Sequence, residues 1–487
     1  MKVMMIGIDG LDNGLLSSFE KYLPNFRKLK EGSPNVKLSS VFPPDSPTAW
    51  ASIYTGKNPA EHGFVFFKDP FEPIKDSEDL VDDLPGTTFW DVAGKIGKKV
   101  CIIFPKMAYP VWPVNGVMVS RTTEAEDIKK DIKNFNIQTY PKELWEEYDF
   151  EGLKPPSSPL KREDIIEATK EVILNEIRLA SKLCRDINWD LYFYYSSALD
   201  KIQHLFWMYH DKNDPYYKKD NPYEDVVFEF YRFYDKHVIG KFLQLADPKT
   251  AFIVLSDHGH GMRPPRVVNI NEILKRNGLL KPKIGDSRIS KGLLMDLIRK
   301  NVIKAMNRYR FVEKLASDFI EIFPQGKNFY VKSIPIDKND SLAYLSDLAR
   351  GIKEYPYAGI KINKNQINDS SYENLRDEII TLLQSIKDPI KSKNLIEWVC
   401  KREEIYEGKY IKKYPDILFK LEDEWGAGWD INVSIFTESK SHAIQPGSHK
   451  AETPVFLIKN HGKTKINKQI TLMDISQITL KLLHEKS

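Results

Sequence analysis

Three apolar runs that each lead to an aspartate constrain this chain more than any other feature. Met4-Met5-Ile6-Gly7-Ile8 runs into Asp9-Gly10, Leu191-Tyr192-Phe193-Tyr194-Tyr195 into Asp200, and Ala251-Phe252-Ile253-Val254-Leu255 into Asp257-His258-Gly259. Short continuous apolar runs suit strands buried on both faces, as in a parallel sheet covered by helices. Open α/β sheets bind ligands outside the carboxyl ends of their strands, so carboxylates delivered there from distant parts of the sequence can converge on one site. Clustered carboxylates repel unless a cation sits between them. The expected fold is therefore α/β, with a doubly wound, mainly parallel sheet flanked by helices. The expected site is a metal centre.

Two of the aspartates have a histidine at short range. Asp200 and His204 are an i, i+4 pair, and Asp257 and His258 are adjacent. One helical turn after a strand aims the first pair the same way. Mixed Asp and His ligation suits zinc or a similar transition ion, whereas calcium and magnesium prefer oxygen. Taken alone, Asp200 also reads as a helix N-cap and His204 as a helix-face residue. A nucleophile candidate lies in the segment from Val41 to Gly56. Ser46 followed by Pro47 reads as a helix start with Ser46 at the N-cap, and Gly56 can close that helix. A hydroxyl at the positive end of a helix dipole favours a phosphate or an alkoxide. A plain capping role explains Ser46 equally well on local evidence.

Taken together, Ile8-Asp9-Gly10, the Pro44 to Gly56 segment, Asn58-Pro59-Ala60-Glu61-His62-Gly63, Asp200 with His204, Asp257-His258-Gly259 and Gly447-Ser448-His449 resemble one family. It is the type I phosphodiesterase/nucleotide pyrophosphatase branch of the alkaline phosphatase superfamily. The resemblance implies an alkaline phosphatase-like core and two divalent ions, zinc or manganese. It implies that Asp9, Ser46, Asp257 and His258 hold one ion and that Asp200, His204 and His449 hold the other. Ser46 would be the nucleophile. The family places a Thr nine residues before the Thr of a Thr-Gly pair, and counting back from Thr55 reaches Ser46, with Thr48 as the reserve. His442 competes with His449 for the last ligand position, but only His449 stands in the expected Gly-x-His context. His62 and His260 are expected to pack or to support the ligands.

The implied reaction is hydrolysis of a phosphodiester or related phosphate ester through a covalent phosphoseryl intermediate, the serine being activated by coordination. Nucleotide pyrophosphatases commonly carry an Asn three residues after the nucleophile. Here Ala49 stands there, which argues against nucleotide specificity, and the sulfatase signature is also missing. Phosphomonoester hydrolysis is an alternative, as is transfer of the kind made by cofactor-independent phosphoglycerate mutases. A non-catalytic phosphate binder is a third reading. Seven intact candidate ligands argue against that one, since unused buried carboxylates are costly.

The 487 residues suffice for a core at 1–263 and 413–487 and an inserted, mostly helical cap at 264–412. Lys291 to Phe323 reads as an amphipathic helix with Leu293, Leu294, Leu297, Ile298 and Val302 on one stripe. A cap over the metal face would select the leaving group. A partly integrated insertion, Val65 to Asn188, carries a helix from Thr88, a strand over Lys99–Phe104 and a rigid loop whose Trp112 reads as surface turn or pocket lining. Asp164 to Arg185 and Tyr223 to Leu245 read as further amphipathic helices.

With 72 basic against 68 acidic residues, the net charge of +4 gives no electrostatic case for a nucleic-acid polymer. Three separated cysteines suggest a reducing compartment without disulfides. The N-terminus opens into a core strand, with no room for a signal peptide, and no apolar run reaches membrane-spanning length. The expected location is cytoplasmic, and the expected partner is a small-molecule phosphate ester, with no membrane.

Overall fold

The runs Val3–Ile8, Leu191–Ser196 and Ala251–Leu255 are buried along their whole length, so both faces of the sheet they build must be covered. The computed structural model describes residues 1–64, 67, 84–122, 136–150, 152–153, 162–283, 336–349 and 353–485. Its central sheet has seven strands: β1 (Val3–Ile8), β2 (Val100–Ile103), β3 (Gly116–Arg121), β4 (Ile137–Tyr140), β5 (Leu191–Ser196), β6 (Ala251–Leu255) and β7 (Phe456–Lys459). Their spatial order is β7-β6-β1-β5-β2-β3-β4. The four inner pairings are parallel, and the two edge pairings are antiparallel.

Alternation along β1 divides the core. Met4, Ile6 and Ile8 pack with Ile173 of the helix Arg162–Asp186 and with Leu199 and Phe206 of the helix Ala198–His210. Val3 and Met5 pack on the other face with Trp50 of the helix Ser46–Thr55 and Ile475 of the helix Asp474–His484. Gly7 permits this approach, because a Cβ there would lie 2.6 Å from Cη2 of Trp50. Register aligns Gly7 with Tyr195 of β5 and Leu255 of β6, so the carboxyl ends of three adjacent strands meet at one edge.

The helix that carries Ser46 starts differently from expectation. Asp45, not Ser46, is its N-cap, with the Asp45 carboxylate accepting from the Thr48 N–H, and Ser46 is the first helical residue. Gly56 closes the helix in the left-handed region at φ 68°. The Asp45 carboxylate is a stronger acceptor than a hydroxyl, which frees the Ser46 side chain. Trp112 is a core residue. It is buried against Trp90 and donates its Nε1–H to Asp91 Oδ1 at 3.0 Å.

A second, antiparallel sheet of four strands, Ala343–Ser346, Tyr357–Ile362, Ile396–Lys401 and Ile417–Leu421, is backed by the helix Asp369–Gln384. This sheet straddles residue 412, and the described part of 264–412 carries both strands and helices. The expected helix over Lys291–Phe323 lies outside the described residues. All three cysteines are free, Cys101 and Cys184 being buried. No helix among the described residues is long and apolar enough to cross a membrane.

Candidate metal centre

The turn after β1 places the first carboxylate. The Asp9 N–H continues the ladder to Ser196 O at 3.0 Å, and Gly10 then turns at φ 67°. A Cβ at Gly10 would lie 2.9 Å from Asp200 Oδ1, so glycine is what lets these aspartates close in. Asp9 is locked in place. Tyr195 donates to its Oδ2 at 2.5 Å and Trp50 Nε1 at 3.3 Å, which turns Oδ1 toward Ser46. Asp257 accepts from the Gly10 N–H at 3.2 Å through Oδ1.

The side chains form two adjoining groups and a third, Asp200 with His258 and His260, that shares a residue with each. Asp9, Asp257 and His258 offer ligand atoms within 4.8 Å of one another, and so do Asp200, His204 and His449. Ser46 joins the first group, its Oγ lying 3.2 Å from both Asp9 Oδ1 and His258 Nε2. All seven residues named from the sequence thus come together at the carboxyl end of β1, β5 and β6. Thr48 does not join them. Its hydroxyl donates to Asp45 Oδ2 at 2.7 Å, away from the cluster.

Backbone carbonyls fix the histidine tautomers. Nδ1 of His204 meets Gly447 O at 2.8 Å, Nδ1 of His258 meets Gly259 O at 2.9 Å, and Nδ1 of His449 meets Pro44 O at 2.9 Å. A carbonyl can only accept, so each Nδ1 carries the proton and each Nε2 presents a lone pair inward. Nε2 of His204 and Nε2 of His449 face each other at 2.9 Å. Two lone pairs at that distance repel unless a cation lies beside both. Asp200 Oδ1 and Asp257 Oδ2 are buried oxygens with no hydrogen-bond partner. This donor set fits divalent cations and fits poorly with nothing bound.

Electrostatics point the same way. Burial, reinforced by Asp9, pushes the Asp200 carboxyl up to about 7, and burial with Asp9 and Asp200 pushes Asp257 well above the carboxylate range. Burial lowers His204 and His449 well below their usual range, helped by His260 and His258 respectively. Every one of these groups is driven toward its neutral form, as expected where compensating charge comes from outside the chain. A cation binding here displaces protons from carboxyls but not from the already neutral imidazoles. Zinc affinity of the Asp200, His204 and His449 group, measured against a chelator, should climb about tenfold per pH unit below pH 7 and flatten above it. A flat profile between about pH 5.5 and 8 would contradict this picture.

His62 and His442 stand outside the cluster. His62 accepts the Phe64 N–H on Nδ1 and contacts Ser52 Oγ through Nε2 at 2.9 Å, while burial drives it down to about 3. Both His442 nitrogens are engaged, one by Arg263 O at 2.7 Å and the other by Asp214 Oδ1 at 3.1 Å. His260 is closer in than a packing residue needs to be. Neither of its ring nitrogens has a hydrogen-bond partner, and Nδ1 lies 3.3 Å from Asp200 Oδ1. Strand alternation over Gly259–Met262, which puts residues 258 and 260 on one side, was the signal available for it.

Arg263 is a supporting residue with no signal in the sequence. Fully buried, it donates only to carbonyls: Nε to Gln445 O at 2.6 Å, Nη1 to Glu354 O at 3.2 Å and Nη2 to Gly447 O at 3.0 Å. Gly447 O also receives His204 Nδ1, so this one guanidinium braces both the His204 ring and the strand bearing His449. Arg263→Met should weaken zinc binding at the Asp200 group by about 10- to 100-fold. Titration with a metallochromic dye would test this, and unchanged affinity would remove the bracing role.

A model of the family described as type I phosphodiesterase / nucleotide pyrophosphatase matches residues 3–428. No curated protein sequence matches the chain. Among solved structures, the phosphonoacetate hydrolase from Sinorhizobium meliloti 1021 in complex with phosphonoformate is similar at a TM-score of 0.58 and 14% identity, over 99% of this chain and 96% of that one. Murine ectonucleotide pyrophosphatase/phosphodiesterase 5 is similar at a TM-score of 0.50 and 15% identity, over 100% of this chain and 96% of that one.

Proposed function

The chain belongs to the type I phosphodiesterase / nucleotide pyrophosphatase family, and from that premise we propose a two-metal phosphohydrolase that cleaves a phosphodiester through a phosphoseryl intermediate. One observation carries the reading: Ser46 Oγ stands 3.2 Å from both Asp9 Oδ1 and His258 Nε2, at the start of a helix and inside the carboxylate cluster. The two bound ions, zinc or manganese, would supply Lewis-acid stabilisation of the developing charge and lower the pKa of the serine hydroxyl. Asp9, Asp257 and His258 would hold one of them, and Asp200, His204 and His449 the other.

The chain's own groups then account for the rest. Tyr195 and Trp50 hold Asp9 so that its Oδ1 faces the serine hydroxyl. The partial positive charge of the Ser46–Thr55 helix favours the serine oxygen as an anion. Ser46 Oγ bonds to phosphorus as the ester oxygen departs, and water later breaks the Oγ–P bond and returns the hydroxyl.

We assign leaving-group selection to the region 264–412. Its aromatic side chains stand beside the loop that delivers Ser46. Tyr406 donates to Phe42 O at 2.5 Å, Phe42 meets Trp398 edge-on at 4.8 Å, and Tyr357 reaches His449 O at 3.5 Å. A cytoplasmic location remains our expectation for this enzyme.

The test is hydrolysis of bis-p-nitrophenyl phosphate and p-nitrophenyl phosphate, side by side, with metal-stripped protein refilled with zinc or manganese. Metal-dependent preference for the diester is the expected result. Preference for the monoester would reassign the enzyme as a phosphatase. No turnover of either with two ions bound would sink the diesterase reading for unactivated pockets of this kind and favour transfer within one substrate.

A further inference from the structure

On the far flank of the core, the helix Arg162–Asp186 packs beside the π-helical turn Tyr234–Ile239 and the helix Gly240–Leu245. Between them lies a cleft of about 360 Å³. Arg178, Ser181 and Arg185 line it from one side at i, i+3 and i+7 of a single helix face, and Lys236, His237 and Lys241 line it from the other. Among the described residues, no carboxylate lines it.

Four permanent cations around one cleft repel one another. Arg178 has a partial answer in Asp149 at 3.2 Å, an ion pair whose members are both more than half exposed and therefore weak. Among the described residues, Arg185, Lys236 and Lys241 have no carboxylate within ion-pairing distance. Ser181 is 2% exposed, and its Oγ is a buried polar atom without a hydrogen-bond partner. An orphaned hydroxyl in a ring of cations is unexplained by the fold. The adjoining π-helical turn points the same way, since such turns collect at functional sites.

We propose that this cleft is a second anion site, separate from the metal centre, that takes a small phosphorylated ligand. Guanidinium forks match phosphate oxygens in pairs, the two ammonium groups supply point charges, and the Ser181 hydroxyl gains the partner it lacks. The site is independent of the reaction assigned to Ser46.

Lysine footprinting with inorganic phosphate as the probe tests the proposal on the intact, metal-loaded protein. Acetylation is followed residue by residue by mass spectrometry, with chloride replaced so that ionic strength is constant. Phosphate at about twice its dissociation constant should slow acetylation of Lys236 and Lys241 about threefold. Lys249, exposed on a nearby turn, serves as the control and should not change. In Arg185→Glu, which alters an exposed side chain, the protection should disappear while the melting temperature holds. Equal rates with and without phosphate overturn the proposal. Protection that survives Arg185→Glu, or extends equally to Lys249, overturns it too. Phosphate held at the metal centre does not confuse the result, because each lysine reports its own surroundings.

Discussion

Replacing Ser46 with alanine is expected to cut turnover by about 10³-fold or more while two divalent ions remain bound. Ser46 Oγ is the hydroxyl that faces Asp9 and His258, and the substitution removes that atom without touching the carboxylates and imidazoles that would hold the ions. Thr48→Ala makes the contrast. Its hydroxyl belongs to the cap of the helix, donating to Asp45, so its loss should cost about 1 kcal/mol of stability and little turnover. Steady-state kinetics with metal analysis on both variants decides between them. If Thr48→Ala is the inactive one with full metal content, the nucleophile has been assigned to the wrong oxygen.

Asp257→Asn is expected to lose one ion and about 10³-fold in activity, yet to give a more stable metal-free protein. Asp257 is fully buried. Its Oδ1 is satisfied by Gly10, whereas Oδ2 has no hydrogen-bond partner and lies 3.2 Å from His258 Nε2. An amide that keeps its oxygen on the Gly10 N–H aims its NH2 at the cation, and turned over it offers the cation a weaker oxygen and loses the Gly10 contact. The sign of the stability change follows from titration. Burial and the neighbouring carboxylates hold Asp257 far above its ordinary range, so ionising it in the folded, metal-free chain costs stability as pH rises past the unfolded value. Asn removes that cost. Melting at neutral pH in excess chelator should therefore favour the variant, and melting in excess zinc should favour the native chain. A variant less stable under both conditions would mean that Asp257 serves the fold and not a cation.

Much of this was legible in the residues. Continuous apolar runs identified β1, β5 and β6 because a strand buried on both faces has no polar alternation to disguise it. The aspartates after them were found because strand ends in such sheets are where ligands go. Helix capping was harder. Ser46-Pro47 and Asp45-Ser46 are both plausible starts, and the carboxylate won over the hydroxyl. Trp112 was ambiguous for a similar reason, since whether an aromatic in a Pro-rich loop faces a pocket or a core depends on a neighbour, Trp90, that only the fold supplies. Arg263 carried no local signal whatever. Its three acceptors are main-chain carbonyls, which any sequence can provide. The second sheet carried no local signal because its strands are separated by 10 to 33 residues and pair antiparallel around a helix.

The pairing of Gly447–Lys450 with Gly259–Met262 has a consequence for how the molecule matures. Asp9 and Ser46 leave the ribosome early, but His449 follows Asp9 by 440 residues. β1 likewise waits for partners that begin at Leu191 and Ala251. Such remote pairings are slow to form. Until the late ribbon docks, Asp200 and His204 are a half-built cluster that lacks His449. Cation uptake and docking of the ribbon then become a single late event, so the yield of mature enzyme would depend on the free metal available during synthesis.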